Sequence, residues 1–256
     1  MKITVLGCSG AEFPNFGPPA FLIDDKILLD AGTTTGSLHE KAQKKISHVL
    51  ITHAHLDHIR GIPTLVDNMY LRNRSYSLTL VGIREVLRAV SKNLFNNILW
   101  PDLTKIPSPG SPVVRLKTIK TGRNYKINNY KITAEKVHHS IKSTGYIIES
   151  SEGKKLIYTG DTGATDTLWK KANAKAGIDG LIIEVTFPNN MKEAALRTGH
   201  LTPSMLSGEL KKLKELPRKI FVTHAKPQFL NMIIKELRNL KIKHLTLFKE
   251  GRTYFI

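Results

Sequence analysis

Short apolar runs broken by turn residues recur along most of the chain. Runs rich in Val, Ile, Leu, Phe and Tyr that are bounded by Gly, Pro, Asn, Asp or Ser are typical of β-strands. Asp24 and Asp25 separate two such runs and predict a tight hairpin. The predicted strands are Lys2–Leu6, Ala20–Ile23, Lys26–Leu29, Ser47–Thr52, Ser77–Val81, Val113–Ile119, Tyr130–Val137, Gly145–Glu149, Lys155–Thr159, Leu181–Glu184, Lys219–Thr223 and His244–Phe248.

Apolar residues at helical spacing predict four helices between these strands. Thr202 followed by Pro203 forms a favourable N-cap and first-turn pair for one of them. Strands with nearly continuous apolar runs must be buried on both faces, so the sequence predicts an α/β fold of two mixed sheets covered by helices. The predicted helices are Ser37–Lys45, Arg84–Asn97, Thr202–Leu216 and Pro227–Leu240.

Composition narrows the class of protein. The 256 residues are ordinary for one α/β domain, and we expect a single domain over residues 1–256. The single cysteine, Cys8, cannot form an internal disulfide, which agrees with a cytoplasmic protein and excludes cysteine-rich zinc modules. No apolar run approaches the roughly 18 residues that span a bilayer, so we expect no membrane association. A metal site here needs histidine and carboxylate ligands.

The formal net charge of +18 favours anionic partners. Such a charge brings phosphate-bearing substrates or polyanions to the surface by long-range steering. Scattered lysines such as Lys41, Lys44 and Lys45 also fit a plain solvated surface, so charge alone does not establish phosphate chemistry.

Four candidate metal ligands follow the strand that ends at Thr52. They are His53, His55, Asp57 and His58, within the segment His-Ala-His-Leu-Asp-His. A tight loop lets alternate residues converge on an ion, whereas a helix would spread them. Imidazole and carboxylate suit zinc, manganese or iron. One loop of this kind can serve two ions, with His53 and His55 on one and Asp57 and His58 on the other.

Three later residues complete the pattern, and each follows the end of a predicted strand. They are His139, Asp161 and His224, with His138 as a competitor of His139. Ligands gather at strand ends in layered sheet folds, so these sites can converge on one cleft. Each of these residues alone would be a weak indication of a metal site. The hypothesis of a metal site rests on their occurrence together in this order.

This order of motifs resembles that of the metallo-β-lactamase fold hydrolases. The resemblance implies a four-layer αββα sandwich and two divalent metal ions, zinc in the first place with manganese or iron as alternatives. It also gives Asp30, at the end of Leu28-Leu29-Asp30, the task of orienting the metal-binding loop. The implied metal ligands are His53, His55, Asp57, His58, His139, Asp161 and His224.

Further segments are similar to the class II 3′,5′-cyclic nucleotide phosphodiesterases. This resemblance implies a metal-dependent phosphoric diester hydrolase that converts cyclic AMP or cyclic GMP, a small-molecule substrate, into the 5′-nucleoside monophosphate. The oligomeric state stays open. The segments are His55-Leu56-Asp57-His58, Leu94–Asp102 with its Phe-Asn and Trp-Pro-Asp, Glu184–Asn189 and Gly199–Pro203.

Two alternatives remain. The tRNA 3′-end endonucleases of the same fold also have a late Gly-His with an acidic residue before it, which Glu184 and His200 match, and their partner is nucleic acid. That family usually carries an extended basic arm, and no inserted Gly/Lys/Arg-rich stretch of that length is present. A non-catalytic member that binds nucleotide or RNA is the other alternative, but the expected ligand types are all here.

Three residues are candidates for the chemistry itself. Asp161 would be shared by the two ions, and Asp57 belongs to the second ion's set. A ribose 3′-oxygen is a poor leaving group unless it is protonated, so a positioned acid is expected. His200 is the candidate, because it lies outside the metal pattern and just before the helix that begins at Thr202.

Overall fold

The computed structural model describes residues 1–175 and 177–256. Its strands form two seven-stranded sheets. The strands are β1 (Lys2–Gly7), β2 (Ala20–Ile23), β3 (Ile27–Leu29), β4 (His48–Leu50), β5 (Leu78–Gly82), β6 (Val114–Thr118), β7 (Asn124–Ile127), β8 (Tyr130–Lys136), β9 (Thr144–Ser150), β10 (Lys155–Tyr158), β11 (Gly180–Glu184), β12 (Lys219–Thr223), β13 (Leu245–Leu247) and β14 (Thr253–Phe255).

Short helices connect the strands. The longest of the described α-helices has 12 residues, and none of them is long and apolar enough to traverse a lipid bilayer. The helices are α1 (Glu40–Gln43), α2 (Leu56–Ile59), α3 (Gly61–Arg72), α4 (Arg84–Asn93), α5 (Thr167–Asn173), α6 (Lys192–Thr198), α7 (Pro203–Leu210) and α8 (Leu230–Asn239).

Each sheet is antiparallel in one half and parallel in the other. The first has the order β14-β1-β2-β3-β4-β5-β6, and its pairs from β3 to β6 are parallel. The second has the order β13-β12-β11-β10-β9-β8-β7, and its pairs from β10 to β13 are parallel. The carboxyl ends of parallel strands meet at one edge of a sheet, where ligand sites of open α/β folds lie.

Three separate apolar cores establish four layers. Between the sheets, residues such as Phe21 and Phe221 pack from opposite sides. Helices α3 and α4 cover the outer face of the first sheet with side chains that include Leu65 and Val90. Helices α5, α7 and α8 cover the second sheet, and Trp169 is the largest fully buried side chain there. The predicted αββα sandwich is therefore confirmed.

Each of the twelve predicted strands overlaps an observed strand. The predicted hairpin is also present: β2 pairs with β3, and Asp24 and Asp25 lie in the left-handed region at φ 44° and 60°. Two strands were not predicted, β7 and β14. Both are short edge strands with exposed polar positions, so they lack the apolar run that marks a buried strand.

The predicted helices were too long, and several observed helices were not predicted. The helix predicted over Arg84–Asn97 ends at Asn93, and the one predicted over Thr202–Leu216 ends at Leu210. Helix α3 was missed because Gly61 and Pro63 read as helix breakers, although a proline in the first turn removes no intrahelical hydrogen bond. Helices α5 and α6 have seven residues each, too few for a periodic signal.

The Phe95–Asp102 segment lies away from the histidines. It connects the end of α4 to β6, whose first residue pairs with the first residue of β5, at the amino ends of these strands. The Asn96 side-chain oxygen accepts hydrogen bonds from the backbone N–H groups of Ile98 and Leu99, which stabilises the turn. The segment therefore contributes to the structure at this edge of the first sheet.

Candidate metal centre

The predicted ligands come from loops at one edge of both sheets. His53 follows β4, Asp161 follows β10 and His224 follows β12, each within three residues of the carboxyl end of a parallel strand. His139 follows the antiparallel strand β8. His224 itself has a left-handed backbone at φ 63°, a conformation that non-glycine residues adopt at a cost of about 1–3 kcal/mol.

One set of side chains consists of three histidines and a carboxylate. Ligand atoms of His53, His55, His139 and Asp161 all lie within 4.8 Å of one another. His55 Nδ1 lies 3.0 Å from His53 Nε2 and 3.2 Å from His139 Nε2. Three nitrogens and one carboxylate oxygen are a donor set typical of zinc and related divalent ions.

A second set lies on the other side of Asp161. Its members are Asp57, His58 and His224, with Asp57 Oδ2 at 3.8 Å from His58 Nε2 and 3.6 Å from His224 Nε2. Asp161 Oδ2 is 3.3 Å from each of the same two nitrogens and 3.7 Å from His53 Nε2. One carboxylate oxygen of Asp161 therefore faces both sets.

The other ring nitrogen of four histidines is held by a fixed partner. His53 Nδ1 lies 3.0 Å from Thr52 Oγ1, and His224 Nδ1 lies 2.8 Å from Thr186 Oγ1. His139 Nδ1 donates to the backbone oxygen of Gly199 at 2.9 Å. Histidines that bind metals usually donate their second nitrogen to a partner of this kind, which fixes the orientation of the ring.

Asp30 orients the fourth histidine. Its Oδ2 accepts hydrogen bonds from His58 Nδ1 at 2.8 Å, Thr52 Oγ1 at 2.8 Å and the Tyr158 hydroxyl at 2.6 Å. Its Oδ1 accepts the backbone N–H of Thr52 at 2.8 Å. The carboxylate is fully buried, so these four bonds replace its hydration. These contacts hold the His58 ring in place, and the role of Asp30 in orienting a metal-binding loop stays a prediction.

Two buried nitrogens in the centre lack a hydrogen-bond partner among the described residues. They are His58 Nε2 and His224 Nε2, both of which face Asp161. A buried polar atom without a partner is costly and calls for an explanation such as a bound ion. A divalent cation is such an explanation, and the donor set suits it.

The protonation states also suit metal binding. Burial, with neighbouring histidines, lowers the pKa of His53 well below its usual range. Burial likewise lowers the pKa of His55 and His139. The three rings are therefore neutral at pH 7, which is the form in which imidazole binds a metal.

The carboxylates of the centre are ionised. Burial acts to raise the pKa of Asp161, but His224 and His58 outweigh it and hold that pKa well below the usual range. Burial also opposes ionisation of Asp57, whose contact with His224 nevertheless lowers its pKa to about 2. Burial disfavours charge on His58, but Asp161 and Asp30 raise its pKa well above the usual value. The two ionised carboxylates thus attract positive charge, and a divalent cation would displace the proton that they hold on His58.

A Glu–His pair lies beside the two sets. Glu184, the last residue of β11, accepts a hydrogen bond from His200 Nδ1 at 2.6 Å and one from Thr186 Oγ1 at 2.5 Å. The His200 ring stacks on that of His224 at a centroid distance of 5.3 Å. Burial acts to lower the pKa of His200, but Glu184 outweighs it and raises that pKa to about 9. His200 is therefore a protonated imidazole at neutral pH.

A family model described as a β-lactamase superfamily domain matches residues 25–225, which include every residue of this centre. The chain belongs to the β-lactamase superfamily.

Relatives within this superfamily have two kinds of names. A protein of Yersinia pestis named probable 3′,5′-cyclic-nucleotide phosphodiesterase is 27% identical over 209 residues, covering 73% of this chain and 59% of that protein. The chain thus matches about three-fifths of that relative's length. A protein of Archaeoglobus fulgidus named ribonuclease Z is 23% identical over an alignment of 286 positions, covering 89% of this chain and 88% of that protein.

A solved structure, that of unliganded yeast PDE1, is similar over the whole chain. The TM-score is 0.84 at 22% sequence identity, with 100% of this chain and 99% of the other covered. A likeness at this identity describes the fold.

The structure brings all seven predicted ligands together. The first four of them, however, do not lie in the single tight loop that the sequence predicted. His53 and His55 lie on an extended segment, whereas Asp57 and His58 lie in the short helix α2. A helical turn rotates successive side chains by about 100°, so these two point to a different set from the preceding histidines. His139 belongs to the first set, and the exposed His138 belongs to neither.

Two supporting residues were not predicted from the sequence. Thr186 contacts Glu184, His200 and His224 through one hydroxyl, and Tyr158 holds Asp30. Both lie at the carboxyl ends of strands, like the ligands themselves. A threonine or tyrosine there resembles any other strand residue in sequence, so only the position after a buried run was available as a signal.

Proposed function

We propose that this superfamily member is a dinuclear metal-dependent phosphodiesterase that hydrolyses 3′,5′-cyclic AMP or cyclic GMP to the 5′-nucleoside monophosphate. The observation that carries the proposal is the His200 ring, whose Nδ1 lies 2.6 Å from Glu184 beside two ligand sets that share Asp161. The names of the Yersinia relative and of other relatives support this substrate class. The net charge of +18 supports an anionic substrate.

Each ligand set would hold one divalent ion. When bound, two such ions supply Lewis acids for the phosphate oxygens and a nucleophile at neutral pH. Zinc is our first choice because of the imidazole-rich donors, with manganese or iron as alternatives. Asp161 would serve both sets, with His53, His55 and His139 on one side and Asp57, His58 and His224 on the other.

The chain itself would supply the proton. His200 has its Nδ1 engaged with Glu184, which leaves Nε2 as the donor. Glu184 keeps the ring protonated and stops it from rotating, so the Nε2 proton can pass to the ribose 3′-oxygen as the P–O3′ bond breaks. General acid catalysis of this kind contributes about 10²–10⁴-fold in rate.

Cleavage of tRNA 3′ ends is the second candidate function. The ribonuclease Z relative covers this chain as completely as the phosphodiesterase relatives do, and +18 suits a polyanion. A non-catalytic nucleotide- or RNA-binding role is a third, and the presence of all seven ligand side chains in two compact sets argues against it.

Turnover by the purified protein loaded with zinc or manganese tests the proposal. Cyclic AMP, cyclic GMP and an unprocessed tRNA precursor are the substrates, and chromatography identifies the nucleoside monophosphate. We expect the 5′-monophosphate, with loss of turnover in His200→Ala. His39→Ala is the matched control, because His39 is exposed and makes no side-chain cap on α1.

Salt separates the first two candidates. A protein that makes 6–10 phosphate contacts loses roughly 10³–10⁵ in affinity between 50 and 200 mM salt, whereas a cyclic mononucleotide carries one phosphate. We expect KM for cyclic AMP to change only a few-fold over this range. Tight, steeply salt-dependent cleavage of the tRNA precursor without cyclic nucleotide turnover would reject the proposal in favour of the second candidate.

A further inference from the structure

A groove of about 900 Å³ opens beside the metal centre. We name it the basic groove. It lies between the two sheets at their carboxyl edge and shares His139 with the first ligand set. Three segments form its walls: residues 83–85 at the start of α4, residues 118–121 after β6 and residues 136–143 between β8 and β9.

Cations dominate the lining of the basic groove. Arg84, Lys120, Lys136 and Lys142 line it together with one carboxylate, that of Glu85. Within residues 1–175 and 177–256, none of the four cations forms an ion pair. Four charges from three separate segments face one space beside a centre that would attract anions once it held two divalent ions. Phosphate oxygens are the usual partners of arginine and lysine in such a cluster.

The basic groove adjoins the proposed proton donor through His139. The ring of His139 lies at a centroid distance of 5.0 Å from that of His200, the proposed proton donor, and His139 also lines the groove. The nucleoside that departs with the 3′-oxygen must contact His200. Groups attached to that nucleoside would be within reach of the basic groove past His139, the residue that lines the groove and contacts His200.

We propose that the basic groove binds a second phosphate, carried by the leaving nucleoside, and that the protein therefore also hydrolyses short linear oligonucleotides with a 5′-phosphate. The inference rests on the proposed phosphodiesterase activity and extends its substrate range. A cyclic mononucleotide has no second phosphate and leaves the basic groove unused. The simplest substrate that fills both sites is a 5′-phosphorylated dinucleotide such as pApA.

The reaction on such a dinucleotide breaks the same bond as on a cyclic nucleotide. The oxygen of one water molecule forms a bond to phosphorus, and the P–O3′ bond breaks. The 3′-oxygen receives a proton from His200, and the second proton of water replaces it. The products are two molecules of 5′-AMP, and no other reactant is needed.

A comparison of pApA with ApA isolates the contribution of the second phosphate. These two dinucleotides differ only in the 5′-phosphate, and kcat and KM for both are measured with zinc-loaded protein. We expect KM to be about tenfold or more lower for pApA, in the range of one charge-assisted contact. Isothermal titration of the zinc-loaded His200→Ala protein with each dinucleotide gives the same comparison with turnover strongly reduced.

The double variant Lys120→Ala/Lys142→Ala tests the assignment to the basic groove. We expect it to abolish the preference for pApA and to change kcat/KM for cyclic AMP less than threefold, which corresponds to about 0.65 kcal/mol. Lys211→Ala/Lys214→Ala is the matched control, since it removes the same charge from exposed positions after α7. It should keep the preference.

The outcomes separate this inference from the proposed function. No preference for pApA in the unaltered protein, or a preference that survives Lys120→Ala/Lys142→Ala, overturns the inference whatever happens with cyclic AMP. A groove-dependent preference without cyclic AMP turnover supports the inference and rejects the cyclic substrate. A groove variant that loses only tRNA cleavage and handles pApA normally also overturns it, because the groove then serves RNA alone.

Discussion

The Tyr158 hydroxyl donates a 2.6 Å hydrogen bond to Asp30 Oδ2, the same oxygen that accepts the hydrogen bond from His58 Nδ1. Tyr158 ends β10 of the second sheet, and Asp30 follows β3 of the first. Burial, together with the Asp30 carboxylate, raises the pKa of Tyr158 well above its usual value, so the phenol remains a donor. This contact joins the two sheets under the metal centre and fixes the carboxylate that orients His58.

Replacing Tyr158 should therefore affect both stability and metal binding. Tyr158→Phe removes one hydrogen bond to a buried charge, and we expect a loss of about 1.5–3 kcal/mol in the free energy of unfolding. The freer Asp30 should also weaken zinc binding through His58, by up to about 10–100-fold. Urea denaturation and zinc titration measure the two effects.

Tyr146→Phe is the matched control for this prediction. Tyr146 is also fully buried, but its hydroxyl donates to the backbone oxygen of Ile51 at 2.6 Å and not to a carboxylate. It should lose about 0.5–1.5 kcal/mol and keep its zinc affinity. An equal loss of zinc affinity in both variants would show that Tyr158 acts only through general packing.

Asp57 provides a test of the number of ions. Asp57→Ala removes the only carboxylate of the second set besides the shared Asp161, while the first set keeps three histidines. We expect the unaltered protein to bind two zinc ions and the variant about one after dialysis, measured by elemental analysis. A stoichiometry near one for both proteins, with unchanged turnover in the variant, would contradict the dinuclear centre.

The sequence was sufficient to single out the candidate ligands, because metal chemistry restricts the residue types. Few residue types bind zinc, and His and Asp are among them. His139, Asp161 and His224 therefore stand out, because each follows a strand. The same reasoning could not place Asp57 and His58 on a helical turn, because a four-residue helix leaves no periodic signal. The strands of both sheets could be predicted equally well wherever their apolar runs are buried.

The sequence could not predict contacts between residues that lie far apart along the chain. The Tyr158–Asp30 bond spans 128 positions, and the Phe95–Asp102 segment, which contributes to the resemblance to the phosphodiesterases, lies at the opposite strand ends. The basic groove was also invisible, because its cations come from three separate segments of a chain rich in lysine throughout. Proximity of this kind depends on sheet order, which local patterns do not encode.

His200→Ala should distinguish a proton donor from a metal ligand. The protonated ring held by Glu184 has no lone pair for a metal, so zinc content should stay unchanged in the variant. Turnover of cyclic AMP should fall by about 10²–10⁴-fold. Hydrolysis of bis(p-nitrophenyl) phosphate, whose leaving group needs no proton, should fall much less. Equal losses on both substrates would instead assign His200 to phosphate binding.

The Glu184–His200 pair also predicts a pH effect. Only protonated His200 can donate, so activity that depends on it is present below its pKa and declines as the pH rises through that value. Burial alone would lower this pKa, and the Glu184 carboxylate is the main group that raises it to about 9, with a smaller contribution from Asp161 and an opposing one from Lys226. Removing the carboxylate charge must therefore move the decline towards lower pH.

Glu184→Gln keeps a hydrogen-bond acceptor of the same size while it removes that charge. We expect the alkaline limb of kcat for cyclic AMP to move down by about 1–3 pH units, the usual effect of one close opposite charge. The limb for bis(p-nitrophenyl) phosphate should stay in place, because no proton is donated to that leaving group. If both limbs moved together, the titration would belong to another group of the centre, and Glu184 would act by holding Thr186 and His224 in position.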